Sequence, residues 1–312
     1  MRIALAIFLV TIILFGCGGG GGPKFSSTNA PNIRQITGMS TPTFSDSEIA
    51  PALDAQLEAV QASGDGLLLV SDWYVRIRDN LSGQVAALTI DTTCDQSGCV
   101  AVHSQSGIYE RFTLHDFGEE TYPASSQRER IEAVGEKNGV RVVTSFSFDL
   151  EGEDIDMSAE LYGAWMVSNG FGVLWGNSRF NEGSIESGFG YSIGAMSRSL
   201  PLGNTTYNGL MVGVDTGANR GDQIQGDAKL DFKLNFPPHE RYAPNMNVFF
   251  SNIRNLRTGA SYRNIEWTDG SVAENGTFDW GSINGSFYGP NHEEVGGSFN
   301  RNGIAGAFGG KR

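Results

Sequence analysis

Between residues 223 and 236 apolar and polar positions alternate with few faults. Ile224, Ala228, Leu230, Phe232, Leu234 and Phe236 fall on one side, and Gln225, Asp227, Lys229, Asp231, Lys233 and Asn235 on the other. A period of two with a single apolar face predicts a long antiparallel strand buried on one side only. The same period, less regular, runs through residues 67–78, 84–91, 100–104, 108–115 and 140–150, and again through 157–167, 171–175 and 185–195. One segment keeps the helical period instead: Ile49, Leu53, Leu57 and Val60 recur three or four residues apart. Ser45 and Glu48 make a capping box before it, Pro51 falls in or near the first turn, where proline is best tolerated, and Gly64 ends it. Residues 116–139 are polar and charged, which predicts a long surface connection with one helical turn around 126–134.

From Thr206 onward the pattern gives about eight strands, joined by turns such as Thr268-Asp269-Gly270, Glu274-Asn275-Gly276 and Arg301-Asn302-Gly303. Eight short meandering strands with large apolar side chains on one face have the arithmetic of a small closed barrel, filled inside and without exposed edges. A membrane-spanning barrel would alternate in the same way with the apolar face outward. The terminal Gly309-Gly310-Lys311-Arg312 has no aromatic residue for an interfacial girdle, and the N-terminus supplies a separate anchor, so a water-soluble barrel is expected. The fold class is therefore mainly β: a β-rich domain with one helix over residues 45–200, then a soluble eight-stranded antiparallel β-barrel over 201–312.

The N-terminus changes the picture of where this fold resides. Met1-Arg2 precede an apolar run from Ile3 to Gly16, then Cys17 and the glycines 18–22. One basic residue, a short apolar core and a small residue at the break are the parts of a secretory signal, and the run is shorter than the roughly 18–20 residues of a membrane-spanning helix. Leu14-Phe15-Gly16-Cys17 resembles the lipobox of bacterial lipoproteins, although Phe15 is bulkier than usual. The resemblance implies cleavage of residues 1–16, lipidation of Cys17 with a diacylglyceryl group and a fatty acid such as palmitate, and, with Gly18 rather than Asp next, sorting to the outer membrane. Residues 17–44 are rich in Gly, Pro, Ser, Thr and Asn and read as a flexible tether.

Loss of residues 1–16 would leave 21 basic side chains against 35 acidic ones. Such a surface is repelled by nucleic acid, which excludes that partner class. The 42 glycines, about twice the usual frequency, agree with short strands and tight turns. With Cys17 assigned to lipid, Cys94 and Cys99 remain, separated by Asp95-Gln96-Ser97-Gly98 and flanked by strand-like residues. Outside the cytoplasm such a pair forms a disulfide across a hairpin. A zinc site would need further soft ligands, and His103 alone does not supply them.

Two stretches carry a family resemblance. Residues 287–297, Phe-Tyr-Gly-Pro-Asn-His-Glu-Glu-Val-Gly-Gly, and the closing Gly306-Ala307-Phe308-Gly309-Gly310-Lys311-Arg312 resemble the end of the barrel in transferrin-binding protein B and its smaller relatives. Tyr207-Asn208-Gly209-Leu210-Met211-Val212-Gly213-Val214-Asp215 resembles that barrel's first strand, and Leu161-Tyr162-Gly163-Ala164-Trp165-Met166 with Phe171-Gly172-Val173 resembles the segment before it in short, single-lobed members. The resemblance covers residues 157–312 well and the earlier half poorly. It implies a single lobe with a handle domain packed on a barrel, in a bacterial surface lipoprotein that captures a solute or a host protein for iron, haem or other nutrient acquisition, often beside an outer-membrane transporter. One lobe is half of a full transferrin binder, so transferrin itself does not follow. The motif is architectural and carries no catalytic or ligand residue across.

Other constellations are weak. Asp215-Thr216-Gly217 matches the loop of aspartic proteases, where paired carboxylates share a proton, and Arg220-Gly221-Asp222 matches an integrin-recognition tripeptide; both read better as one hairpin turn. The glycines of 170–176 and 188–194 miss the nucleotide-binding spacing and suit bent strands. His292-Glu293-Glu294 places carboxylates beside an imidazole, though neighbours on a strand face opposite ways. His239, after Pro237-Pro238, and Tyr242 are candidate haem ligands on a polar loop. His103 and His115 stand apart, and no Ser-His-Asp arrangement is apparent. No enzyme and no cofactor is expected. Residues 236–245 and 252–262 are polar loops expected to lie close together as a binding rim, with a structural or adhesive envelope protein as the alternative function.

Overall fold

The computed structural model describes residues 38–103, 108–114, 130–151, 155–180, 183–234 and 244–312. A helix, α1 (Asp46–Ser63), precedes eighteen strands. The first ten are β1 (Gly66–Val70), β2 (Trp73–Asp79), β3 (Val85–Asp95), β4 (Gly98–His103), β5 (Ile108–Phe112), β6 (Arg130–Lys137), β7 (Val140–Glu151), β8 (Ile155–Trp165), β9 (Asn169–Phe180) and β10 (Gly183–Ala195). They form one antiparallel sheet in the order β5-β4-β3-β2-β10-β9-β8-β7-β6, with β1 continuing the line of β2 along β10. The remaining eight are β11 (Thr205–Asp215), β12 (Gln223–Lys233), β13 (Asn245–Asn255), β14 (Ile265–Ser271), β15 (Thr277–Asp279), β16 (Ile283–Tyr288), β17 (Glu294–Arg301) and β18 (Ile304–Lys311). Their order is β14-β13-β12-β11-β18-β17-β16-β15, so the first and last strands of the set, β11 and β18, pair in the middle and curl the sheet into a barrel.

The expected mainly-β fold with one helix and an eight-stranded antiparallel barrel is the fold observed, and several details differ. The single strand expected over 67–78 is broken at Ser71-Asp72. There side chains replace the ladder: Gly190 N–H donates to the Ser71 hydroxyl at 2.9 Å, and Thr92 N–H donates to the Asp72 carboxylate at 2.9 Å. The helical turn expected around 126–134 is contradicted from Arg130 onward, where β6 pairs with β7; a register shift between Ala133 and Gly135 hides the period of two. Residues 115–129 lie outside the described residues. Glu48 does cap α1, its carboxylate accepting from the Ser45 N–H at 2.7 Å and the Ser45 hydroxyl at 2.8 Å. Pro51, however, sits in the second turn, where its missing N–H removes an interior hydrogen bond.

The barrel interior is filled with large apolar side chains. Phe250 lies at its centre, 5.0 Å from the ring of Phe299, 5.4 Å from Phe308 and 5.5 Å from Trp267. Ile224, Leu230, Phe232, Val248, Ile304 and Phe287 complete the fill, and Leu234 packs on its edge. Backbone pairing does not run all the way round. Between β14 and β15 the ladder is open, and side chains close the seam. The Trp280 indole N–H donates to the Ser271 carbonyl at 2.8 Å, Trp267 N–H to the Ser282 hydroxyl at 3.1 Å and Arg301 to the Glu266 carbonyl at 2.7 Å. The Arg301 guanidinium also lies 4.7 Å over the Trp267 ring.

The two sheets share a second core. Val140, Val142, Tyr162, Ala164, Phe171 and Val173 meet the outer faces of β11 and β18 at Leu210, Val212, Val214, Ala305 and Ala307. The approach of β10 to β18 is so close that a Cβ on Gly190 would stand 1.7 Å from the Gly306 carbonyl oxygen. On the opposite face of the large sheet, Ile49, Leu53 and Phe44 pack with Trp73, Leu161 and Trp165. The chain enters beside β6, where Ser40 pairs with Glu136; the adjoining turn reaches the barrel through Lys137–Asp227 at 2.8 Å and an Asn138 amide donating to the Gly209 carbonyl at 3.0 Å.

Phe249 and Phe250 test the inside–outside assignment of β13. Phe250 is fully buried and Phe249 is 36% exposed. Phe250→Ala is expected to cost roughly 3–5 kcal/mol through a core cavity, and Phe249→Ala less than about 1 kcal/mol. Urea unfolding of both variants checks this; equal losses would place the barrel register wrongly.

Candidate functional site

Strand direction sorts the connections of the barrel into two ends. One end carries the β11–β12 turn (216–222), the β13–β14 connection (256–264) and the β17–β18 turn (302–303). The other carries the β12–β13 connection (234–244), the β16–β17 turn (289–293) and the C-terminus. The two loops expected to form one rim, 236–245 and 252–262, are thus at opposite ends of β13, an eleven-residue strand spanning about 35 Å. The expectation fails because every strand crossing reverses the end. Residues 235–243, with His239 and Tyr242, lie outside the described residues, as do Cys17, His115 and the side chain of His103.

The first end holds a shallow concavity of about 330 Å³ lined by Asp215, Gly217, Asn219, Tyr262, Asn302 and Gly303, among others. Asp215 sits beneath it, 4% exposed, accepting from Gly217 N–H at 2.6 Å and from the Tyr262 hydroxyl at 2.5 Å. Burial, followed by this bond to the carboxylate, pushes the Tyr262 phenol above its ordinary range. The carboxylate is spent on shaping the turn, which is a different task from sharing a proton in a protease pair. Asp222 is likewise engaged: Arg257 grips it through Nε at 2.6 Å and Nη2 at 2.8 Å, and the Asn255 amide donates at 2.7 Å. Arg220 reaches across to the large sheet and binds Glu186 at 3.1 Å, which Arg76 also holds at 3.1 Å. Gly221 lies against the Trp175 indole, itself stacked 6.1 Å from Tyr74. The Arg-Gly-Asp tripeptide is therefore built into the junction of sheet and barrel, with both its charges paired.

The remaining sequence candidates resolve into structure. Cys94 and Cys99 face each other across β3 and β4 and are bonded, S–S 2.03 Å. The glycines of 170–176 and 188–194 lie within β9 and β10. His292 takes positive φ in its turn and meets the Ser199 hydroxyl and carbonyl at 3.0 Å. Glu293 accepts from Asn291 at 2.7 and 2.9 Å. Among the described residues no group of His, Cys, Asp and Glu is placed to hold a metal, and no helix is long and apolar enough to cross a membrane.

Sequence reasoning named Glu294 only as a neighbour of His292 and missed what it does. Its carboxylate is buried at the sheet–barrel junction and accepts from Val167 N–H at 2.8 Å and Ser168 N–H at 2.9 Å. Beside it the buried Asn169 amide donates to Ser192 at 2.8 Å, whose hydroxyl meets Tyr288 at 3.1 Å. Residues 287–297 are thus the hinge plate between barrel and sheet. The only hint in sequence was a carboxylate directly before Val295-Gly296-Gly297, inside a strand.

Burial raises the Glu294 pKa above 4.5, outweighing the backbone hydrogen bonds that lower it. A raised folded-state value means that its stabilising contribution is fully present below the unfolded value and is lost as pH rises through the folded one. The cost of Glu294→Gln is therefore expected to be largest in acid and to shrink toward neutral pH. Urea midpoints of both proteins between about pH 4 and 7 test the sign; a gap that widens with pH would mean that the hydrogen bonds dominate.

Residues 258–312 match the family model for the C-lobe and N-lobe beta barrels of Tf-binding protein B. No curated protein matches the chain. Among solved structures, intact Ap-TbpB with its N and C lobes aligns at 15% identity over 78% of this chain and 46% of its own, TM-score 0.27. The N-lobe domain of lactoferrin binding protein B from Moraxella bovis aligns at 12% identity over 79% and 98%, TM-score 0.32, and a surface lipoprotein at 12% over 77% and 98%, TM-score 0.33. The chain spans less than half the length of the intact two-lobed protein. The matched residues run from the β13–β14 connection to β18, so the C-terminal part of this barrel is similar to the beta barrels of Tf-binding protein B.

Proposed function

We propose that the chain is a lipid-anchored outer-membrane binding protein that captures a partner protein through the loops at the 216–222, 256–264 and 302–303 end of its barrel. In this reading residues 1–16 are a signal peptide, Cys17 carries the lipid, 17–44 form the tether, 45–200 the handle-like domain and 201–312 the barrel. The observation that carries it is the apolar interior: Phe250, Phe299 and Phe308 pack against one another at its centre, which favours recognition by surface loops on a rigid scaffold. The similarity to barrels of Tf-binding protein B and to a lactoferrin binding protein B lobe supports a host iron-carrying protein as the partner class, with an outer-membrane transporter as a further partner. The partly exposed Tyr262, Trp175 and Tyr74 belong to the residue types that anchor protein interfaces.

Anchoring and capture are tested separately. Cys17→Ser is expected to accumulate an unprocessed precursor that takes up no labelled fatty acid; a processed, labelled variant would refute the anchor. For capture, the partner co-purified from the native envelope is expected to be lost when residues 258–261 become a Gly-Ser linker, with thermal stability nearly unchanged. Replacing 237–242 in the same way should leave it bound, as should the mild edge-of-core change Leu234→Val. Loss of the partner on Leu234→Val without unfolding would place the site inside the barrel and overturn the proposal.

A further inference from the structure

Arginines flank the segments that line the concavity, although none lines it directly. Arg220 follows Asn219 and Arg301 precedes Asn302, both lining residues; Arg263 follows Tyr262, and Arg254 is bridged through its backbone to Ser261. Arg257 joins them from the same connection. Residues 252–264 hold three of the five and no carboxylate, in a protein of net charge −13. The nearby acids do not neutralise these arginines evenly. Asp215 is buried beneath the turn, Asp222 is 10% exposed and clamped by Arg257, and Glu186 is shared by Arg220 and Arg76. Glu266 is exposed on the flank. Arg254 and Arg263 are exposed and have no ion-pair partner among the described residues.

Deepening the capture reading above, on which it rests, we infer that this group of arginines recognises exposed Asp and Glu carboxylates of the partner protein. A guanidinium fork matches a carboxylate in two parallel hydrogen bonds, and Arg257 on Asp222 already shows that geometry at this site. The adjoining, partly exposed Tyr262, Trp175 and Tyr74 favour a protein over a polyanion, since aromatic side chains of this kind are enriched at protein interfaces. The lysines Lys137 and Lys229, by contrast, are paired with Asp227 and Asp231 on the barrel wall and leave no comparable surface.

The test uses the full-length protein in detergent, with poly-L-glutamate as the probe and dextran sulfate as the competing polyanion. Poly-L-glutamate is expected to bind, to weaken as salt rises, and to lose about tenfold or more in affinity on Arg254→Glu with Arg263→Glu. The Arg254→Lys, Arg263→Lys pair, which keeps charge and loses the fork, should fall between. Lys229→Glu with Lys233→Glu, toward the opposite end of β12, should change nothing. Neither Arg254 nor Arg263 holds an ion pair among the described residues, so thermal midpoints should match the parent; if the reversal fails to fold, Arg254→Gln with Arg263→Gln gives the same reading. Binding that is absent at low salt, or that survives the reversal, overturns the inference. Dextran sulfate binding as tightly as the polypeptide overturns the choice of a protein. Co-purification of a partner that still depends on residues 258–261 would then leave the capture reading standing, whereas recovery of no partner would refute that reading on its own.

Discussion

The closeness of β18 to three neighbours at once is the constraint on which the rest depends. Its two edges pair with β11 and β17, its inward side chains Ile304 and Phe308 fill the barrel, and its outward Ala305 and Ala307, with the Gly306 backbone, meet the large sheet. A strand used on all four sides has no tolerance for bulk. That is why the alternation here is large inside and small outside, and why Gly190 meets Gly306 with no room for a methyl group. The apolar area hidden between sheet and barrel makes the pair one mechanical body, and Glu294 adds a directional bond that fixes their angle.

Much of this was legible because one-sided burial writes a period of two into the chain. The run at 223–234 could be read directly, since Leu230 and Phe232 face a packed interior while Lys229 and Asp231 face water. β6 could not, because the irregularity at Ala133–Gly135 puts both Ala133 and Val134 into cores and breaks the alternation. The break at Ser71-Asp72 was hidden for a related reason: the side chains there mimic the backbone bonds they replace, and composition alone does not show it.

The candidate site was legible only in pieces. Asp215-Thr216-Gly217 and Arg220-Gly221-Asp222 announced a turn, and the turn is there. What surrounds it comes from connections about 40 and 80 residues further on, two and six strands along the chain, and only the pairing of β12 with β13 and of β11 with β18 brings Arg257 and Asn302 to the same end as Asn219. Proximity in sequence misled for the two polar loops flanking β13, which the strand between them holds apart. Glu294 meets residues 126 and 127 positions away, a partnership no local pattern encodes.

The point of entry has a consequence for load. Ser40 is pinned to Glu136 beside the turn that contacts Gly209 and lies against Lys311, on the half of the barrel that carries the C-terminus. The arginines cap the other half. A pull exerted between the two runs along β11, β12 and β18, so their ladder hydrogen bonds are strained together in shear instead of being unzipped one by one. On the capture proposal, cargo held at the arginines would detach before the lobe that holds it comes apart, so the weakest point under load would be the grip and not the fold.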